Sequence, residues 1–279
     1  MIAITCKNCG NYFQGNFCNQ CGERAYNENN KSIVHFFEES FHFLTHLDNK
    51  FLKSVWLVFT KPGFLSYDIS IGIRKKHFKP VNLFLLGVIL YLLFPFFQGL
   101  NLPLKSQLNE VYGPYVKMLV NQKTENKMLS TDEIAKKYDA KSPRFAKILL
   151  LVIIPITGLA LSILFYKKGK YYFDHFTLAA ELNTFYLYFT FFIIPLVYSI
   201  VVIISKLFYG HADFDIGDEI TFPLYLLANG IFAMSAFMRF YKETMIRASV
   251  ISILYLVLHM FIVYAIYRLL LISVVFLFI

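Results

Sequence analysis

Residues 148–166 read ILLLVIIPITGLALSILFY, nineteen consecutive residues without a charged side chain. A run of about 20 apolar residues is what an α-helix needs to cross the hydrocarbon core of a bilayer. Four more stretches of similar length and character lie at residues 81–100, 183–205, 222–240 and 249–267. The sequence therefore predicts an all-α membrane protein with about five transmembrane helices.

The end of the last stretch and the prolines inside the stretches bear on the shape of the predicted helices. Arg268 follows the last stretch, and a second apolar run, LLLISVVFLFI, fills residues 269–279, so the exit point of this helix stays open. Pro95, Pro155 and Pro195 lie inside stretches. Because neighbouring helices can satisfy the backbone groups that a proline frees in a membrane, we predict kinks at these positions and not breaks.

The composition agrees with a lipid environment. The 279 residues are 57% hydrophobic and 16% charged, whereas a soluble domain has roughly 25% charged residues. The net charge is +9. In a membrane protein, such an excess is explained by basic loops held on the cytoplasmic side, and no basic face typical of nucleic-acid binding is visible in the sequence.

The distribution of charge predicts an orientation. Residues 1–80 contain ten Lys and Arg residues, and the connection between the second and third stretches adds Lys167, Lys168 and Lys170. The connection after the third stretch is acidic. The positive-inside rule then places the N-terminus in the cytoplasm and the C-terminus outside.

The long connection at residues 101–147 departs from this rule. Between Lys105 and Arg144 it carries eight basic and five acidic residues, a net charge of +3. Long loops are translocated largely regardless of charge, so we expect an extracytoplasmic subdomain here. Ser130, followed three residues later by Glu133, is a capping-box pattern and predicts the start of a helix in this subdomain.

The N-terminal region divides into two parts before the bundle of residues 81–279. Residues 1–30 are polar and hold all four cysteines. In residues 31–80, apolar residues recur with helical spacing up to Phe59, and Pro62-Gly63 ends the pattern. We predict an amphipathic helical segment at the membrane interface, in which Asp48 either continues the helix or begins a second one.

The cysteine spacing is the strongest chemical signal in the chain. Cys6-x2-Cys9 and Cys18-x2-Cys21 are each followed by glycine, and eight residues separate the two pairs. Four thiolates at such spacing can close a tetrahedral site around one ion, so we predict a structural zinc ribbon. An iron site of the same ligands is the metal alternative, and paired disulfides are the non-metal one. Because the N-terminus, MIAITCKNCG, lacks the apolar core of a signal peptide, we expect a reducing compartment, which favours metal.

The order of these features resembles a bacterial membrane family known only as a domain of unknown function. The resemblance rests on the two CxxCG motifs, the Lys61-Pro62-Gly63 break, the Gly72-Ile73-Arg74 stretch and Pro80 before the first span. It covers about the first 95 residues well and the spans more loosely. It implies the inner membrane of a bacterium and a zinc ribbon, and it implies no activity.

Four ionisable residues form a candidate polar site within or near the bilayer: Asp174, His175, Glu181 and His259. Ionisable groups at membrane depth are costly and often functional. Asp174 and Glu181 are seven residues apart and therefore share one helix face. Contacts between packed helices explain such residues as well, and we favour that interpretation here.

The sequence lacks a glycine-rich phosphate loop, a nucleophile elbow and an HExxH motif, which favours a non-enzymatic role. We expect an uncharacterised membrane protein that recruits or senses a protein partner through a cytoplasmic zinc ribbon. The alternative is a small transporter or lipid-handling protein that uses the intramembrane polar residues.

Overall fold

The computed structural model describes residues 3–25, 49–93, 102–127, 129–209 and 218–279. A short antiparallel sheet opens the chain, with strand β1 at Ile4–Thr5 paired to β2 at Tyr12–Phe13. The helices of the N-terminal half are α1 Asn49–Thr60, α2 Phe64–Ser70, α3 Pro80–Leu93, α4 Leu104–Gln107, α5 Gly113–Lys127 and α6 Thr131–Leu164. Those of the C-terminal half are α7 Tyr172–Tyr188, α8 Ile194–Tyr209, α9 Asp218–Phe240, α10 Met245–Phe261 and α11 Arg268–Leu277.

Four helical segments are long and apolar enough to cross a membrane, as a multi-pass membrane protein requires: Thr131–Leu164, Tyr172–Phe208, Thr221–Phe240 and Met245–Leu277. The first predicted stretch, residues 81–100, is present through Leu93 as the shorter apolar helix α3, and residues 94–100 lie outside the described part of the chain. The last span continues helically past Arg268 to Leu277, which answers the question its sequence left open.

Helices α7 and α8 form one continuous segment. A π-helical turn at Phe189–Ile193 joins them, and Pro195 follows directly in the first turn of α8. Proline removes a backbone donor and crowds the preceding turn, so a wider turn is its usual accommodation. The helix also continues through Pro155 in α6, as predicted.

The juxtamembrane segment follows the predicted pattern where it is described. Helix α1 begins at Asn49 and ends at Thr60, immediately before Pro62-Gly63. Residues 26–48, which contain the first part of the predicted amphipathic helix, lie outside the described residues.

The 34-residue helix α6 separates two ends of the bundle, about 50 Å apart at 1.5 Å per residue. Its start has the predicted capping box, in which Glu133 accepts from the Ser130 N–H at 2.8 Å. Around this first half, α4, α5 and α11 form a separate apolar core with Tyr138 and Phe276. The helix then runs without interruption into the second predicted span.

The other end of α6 leads into the connection at 165–171, which packs on the connection at 241–244, and the latter also contacts the segment between α1 and α3. Phe165 stacks on Tyr241 with ring centroids 3.7 Å apart, and Lys242 lies 4.4 Å from the Tyr67 ring. Helix α7 starts at this end and is buried from Phe173 to Leu187. A helix with neighbours on all sides is central to its bundle, so the polar groups on α7 must find protein partners.

Candidate functional site

The four cysteines form one cluster. Their sulfur atoms all lie within 4.8 Å of one another, with 3.5 Å between Cys6 and Cys21 and 3.6 Å between Cys9 and Cys18. These separations are far longer than the roughly 2.05 Å of a disulfide bond, and the cysteines are free. A tetrahedral zinc–thiolate site with bonds of about 2.3 Å places its sulfurs about 3.8 Å apart, so the cluster can hold a metal ion.

The backbone around the cluster has the form of two similar turns. The Gly10 N–H donates to the Cys6 carbonyl at 2.9 Å, and the Gly22 N–H donates to the Cys18 carbonyl at 2.8 Å. Gly10 and Gly22 have φ values of 76° and 70°, which glycine adopts at little cost. Each CxxCG repeat therefore uses its glycine to turn the chain back toward the cysteine cluster.

Hydrogen bonds in the second turn favour the thiolate form of Cys18. Burial raises the pKa of the Cys18 thiol, but the backbone N–H groups of Cys21 and Gln20 and the Cys9 and Asn11 side chains outweigh burial and lower this pKa to about 6. Hydrogen bonding to the charged form of a group favours that form. In the same cluster, the Asn11 backbone lowers the pKa of the Cys9 thiol, but burial and the other three cysteine side chains outweigh it and raise this pKa to about 12. Cys18 is therefore the first of the Cys9–Cys18 pair to ionise, and the thiolate is the form that ligates metals.

The cysteine module is attached to the bundle through a buried carboxylate. Glu23 is only 3% exposed and accepts from the backbone N–H groups of Arg74 and Lys75, at 3.2 and 2.9 Å. On the same side, the Lys75 ammonium lies 6.0 Å from the Phe17 ring. These contacts join the module to the turn between α2 and α3, directly before the chain enters the bundle.

Glu181 lies in the middle of α7 and is completely buried. One carboxylate oxygen accepts from the Gly63 N–H at 2.8 Å. The other accepts from the Ser66 N–H at 2.9 Å and from the Ser66 hydroxyl at 2.6 Å. Glu181 therefore satisfies the backbone donors at the start of α2, which would otherwise be buried without partners.

The Pro62-Gly63 turn is held from a second helix as well. The Arg239 guanidinium, near the end of α9, donates to the Pro62 carbonyl. A Cβ atom at Gly63 would lie 2.9 Å from the Ala236 carbonyl oxygen, because the turn packs directly on the backbone of α9. We call this arrangement the Pro-Gly clamp: Glu181 and Arg239 hold Pro62, Gly63 and Ser66 from two sides.

Gly63→Ala is expected to destabilise the protein by about 2–4 kcal/mol. The residue has φ of 75°, which costs an L-residue about 1–2 kcal/mol, and the added methyl group overlaps backbone atoms of α9 that cannot move independently. Thermal unfolding of the purified protein in detergent measures the effect.

Gly169→Ala is the matched control, since Gly169 has φ of 60° and nothing within 4 Å of the added Cβ. Gly169→Ala should lower the free energy of unfolding only by the cost of the left-handed backbone conformation, without a steric clash. Equal losses of stability in the two variants would contradict a close approach at Gly63.

The structure places the other predicted polar residues with separate partners. Asp174 accepts from the Tyr171 N–H at 3.1 Å at the start of α7, and His175 Nδ1 is 2.6 Å from the Tyr241 hydroxyl. His259 Nε2, from α10, is 3.2 Å from the Asn183 side-chain oxygen on α7. These contacts each join α7 to its own N-terminal turn or to a neighbouring helix.

Several residues in these arrangements have no sequence signal that singles them out. Glu23 reads as an ordinary surface charge in a polar segment, Arg239 as a charge at the very end of the stretch at 222–240, and Ser66 as an ordinary small residue. Gly63 alone could be singled out, because Pro-Gly after an amphipathic pattern predicts a turn.

Comparison with known proteins gives one finding. Residues 48–92 match a family model described as a protein of unknown function (DUF3667). No curated protein and no solved structure matches the chain. The matched segment contains α1, α2, most of α3 and the Pro62-Gly63 turn. Glu181 and Arg239, which hold this turn, lie outside the matched residues. The cysteine motif precedes the matched residues.

Proposed function

We propose that this chain is a non-enzymatic membrane protein that recruits or senses a protein partner through a structural zinc ribbon. In this proposal Cys6, Cys9, Cys18 and Cys21 hold Zn²⁺, and the ribbon lies on the cytoplasmic side of a bacterial inner membrane. Four protein thiolates leave no open coordination position for a substrate, so the metal is structural. Zinc is favoured over iron because no motif in the sequence suggests electron transfer.

The proposal rests on which side chains of the ribbon are buried against the bundle and which are exposed. Glu23 is buried against the bundle, whereas Tyr12 and Phe17 are 73% and 58% exposed. Side chains alternate along a strand, so Tyr12 points outward while Phe13 packs beside the cysteines. Exposed aromatic side chains on a rigidly held module are typical anchors of a protein interface.

The charge around the ribbon supports the orientation. The same end of the bundle carries the connections that contain Lys168 and Lys242, and it carries Lys75 and Lys76 beside the ribbon. Lys168 binds Glu243 at 2.6 Å, which ties two of these connections together. Basic connections mark the cytoplasmic side of a membrane protein.

The alternative proposal is transport or lipid handling by Asp174, Glu181 and His259. Both carboxylate oxygens of Glu181 are engaged by Gly63 and Ser66, and His259 is engaged by Asn183. These contacts favour a structural role for both residues, and for this reason we prefer the recruitment proposal.

Affinity purification of the tagged protein from its native membrane, followed by mass spectrometry, tests the proposal. A Tyr12→Ser variant should lose roughly tenfold or more of a specific co-purifying protein, as expected for a central aromatic anchor. A Cys18→Ser, Cys21→Ser variant should lose the same protein together with its zinc.

Tyr166→Ser is the matched control, because Tyr166 is 71% exposed and lies at the same end of the bundle but outside the ribbon. It should retain the partner. We would abandon the proposal if the ribbon variants and the control captured the same proteins in the same amounts.

A further inference from the structure

The outward face of α1 carries two large apolar side chains. Leu52 and Trp56 are four residues apart and therefore lie on the same face of the helix. They are 70% and 68% exposed, and Trp56 is the single tryptophan of the chain. An exposed pair of this size on a helix that packs beside apolar spans marks a contact surface.

The opposite side of α1 packs on the bundle at both ends of the helix. Phe51 contacts Phe78 with ring centroids 5.6 Å apart, and Phe59 contacts Phe185 of α7 at 5.3 Å. Phe185 in turn stacks on Phe232 of α9, which is long and apolar enough to cross a membrane. The phenylalanines of the predicted amphipathic pattern therefore contact protein, and a different face of α1 points away from the bundle.

Basic side chains surround the exposed pair. Lys50 and Lys53 are exposed on α1, and Lys61 is exposed just after the helix ends. Residues 49–67 contain no acidic residue, so this surface is uniformly positive. Lysine side chains reach toward the phosphates of lipid headgroups, and tryptophan prefers the boundary between headgroups and acyl chains. Leucine and tryptophan among lysines are typical of a helix that lies at a lipid surface.

We propose that the face of α1 formed by Leu52 and Trp56 inserts into the boundary between the headgroups and the acyl chains of the phospholipid bilayer. Lys50 and Lys53 reach the headgroup phosphates from the same helix, while Phe51 and Phe59 hold α1 on the bundle. This contact does not depend on the ribbon having a protein partner, since it requires only that the bundle spans a membrane.

The test uses the full-length wild-type protein in vesicles of phosphatidylcholine and phosphatidylglycerol. All tryptophan emission comes from Trp56, so quenching reports on this face alone. In two preparations, part of the phosphatidylcholine carries bromine atoms, either near the headgroup end of the acyl chains or near their methyl ends. Because an interfacial helix is buried about 5–10 Å, the shallow bromines should quench Trp56 about twofold more than the deep ones. Iodide in the buffer should quench it only weakly.

Two variants that move the tryptophan calibrate the quenching. Both carry Trp56→Phe, combined with either Val111→Trp or Ile231→Trp. Val111 is 98% exposed in the connection between α4 and α5, so a tryptophan there should respond to iodide and not to bromine. Ile231 is 53% exposed in the middle of α9, so a tryptophan there should respond most strongly to the deep bromines.

Three results would overturn the proposal, and the wild-type protein alone can give each of them. Strong quenching by iodide, as at Val111, would place Trp56 in water. Quenching by neither reagent would show that another part of the chain or a second protein covers this face. Deep bromines that quench Trp56 as strongly as shallow ones, or more strongly, would place it in the hydrocarbon core and not at the boundary.

Discussion

Glu181→Ala is expected to destabilise the protein by on the order of 3–5 kcal/mol, among the largest effects of any single substitution in the bundle. The change removes the acceptor for three donors, the N–H groups of Gly63 and Ser66 and the Ser66 hydroxyl, all inside the protein. Each buried donor left without an acceptor costs about 1–3 kcal/mol.

Thermal unfolding in detergent is the measurement, and two further variants sharpen it. Glu181→Gln keeps the volume and one accepting oxygen, so it should fall between the wild type and Glu181→Ala. Glu125→Ala removes an exposed glutamate from α5 and should have almost no effect. A Glu181→Ala variant as stable as Glu125→Ala would show that Glu181 does not hold the Pro-Gly clamp.

The Cys18→Ser, Cys21→Ser variant is expected to lose its metal completely and to unfold residues 3–25 while the bundle stays folded. The module has only Cys6, Phe13 and Cys18 as fully buried apolar residues, so its own core contributes little. In modules of this kind the metal supplies the folding energy, about 10–16 kcal/mol for structural zinc.

Two measurements distinguish unfolding of the cysteine module from unfolding of the bundle. Elemental analysis should find about one zinc ion for each wild-type chain and none in the variant, as one closed four-thiolate site requires. Limited proteolysis should then cut the variant between residues 3 and 25 and leave its α-helical content almost unchanged. Iron in place of zinc would correct the metal, and a variant that resists cleavage would show that the module folds without it.

Ser130→Ala, at the exposed start of α6, belongs to a smaller class of effect. It removes one capping interaction, worth about 0.5–2 kcal/mol. Glu181 differs from such a cap, because it caps α2 from another helix and is completely buried. The same chemical role therefore has very different consequences at the surface and in the interior.

The sequence predicted the features that depend on neighbouring residues. The apolar stretches at 183–205, 222–240 and 249–267 lie within helical segments long enough to span a membrane, and the stretch at 148–166 does so up to Leu164, where α6 ends. The capping box at Ser130 and the end of α1 before Pro62-Gly63 were also predictable. The four cysteines lie close together, as the spacing of their two pairs requires.

The sequence could name the polar residues within the bundle but not their partners. Glu181 stood out as an acidic group in an apolar region, yet Gly63, which it binds, is 118 positions away. Arg239 and Pro62 are separated by 177 positions. Such pairs depend on which helices pack together and at what height, and no local pattern contains that information.

What the sequence by itself determined is the membrane-spanning helices and the grouping of the four cysteines, because lipid imposes a length and an apolar composition on each span separately. Metal coordination likewise imposes a spacing on each pair of cysteines. Only the tertiary structure decided that Glu181 holds the Pro62-Gly63 turn and that Glu23 seats the cysteine module on the turn before α3. Buried polar groups must be satisfied by whatever lies beside them, and their neighbours exist only once the helices have packed.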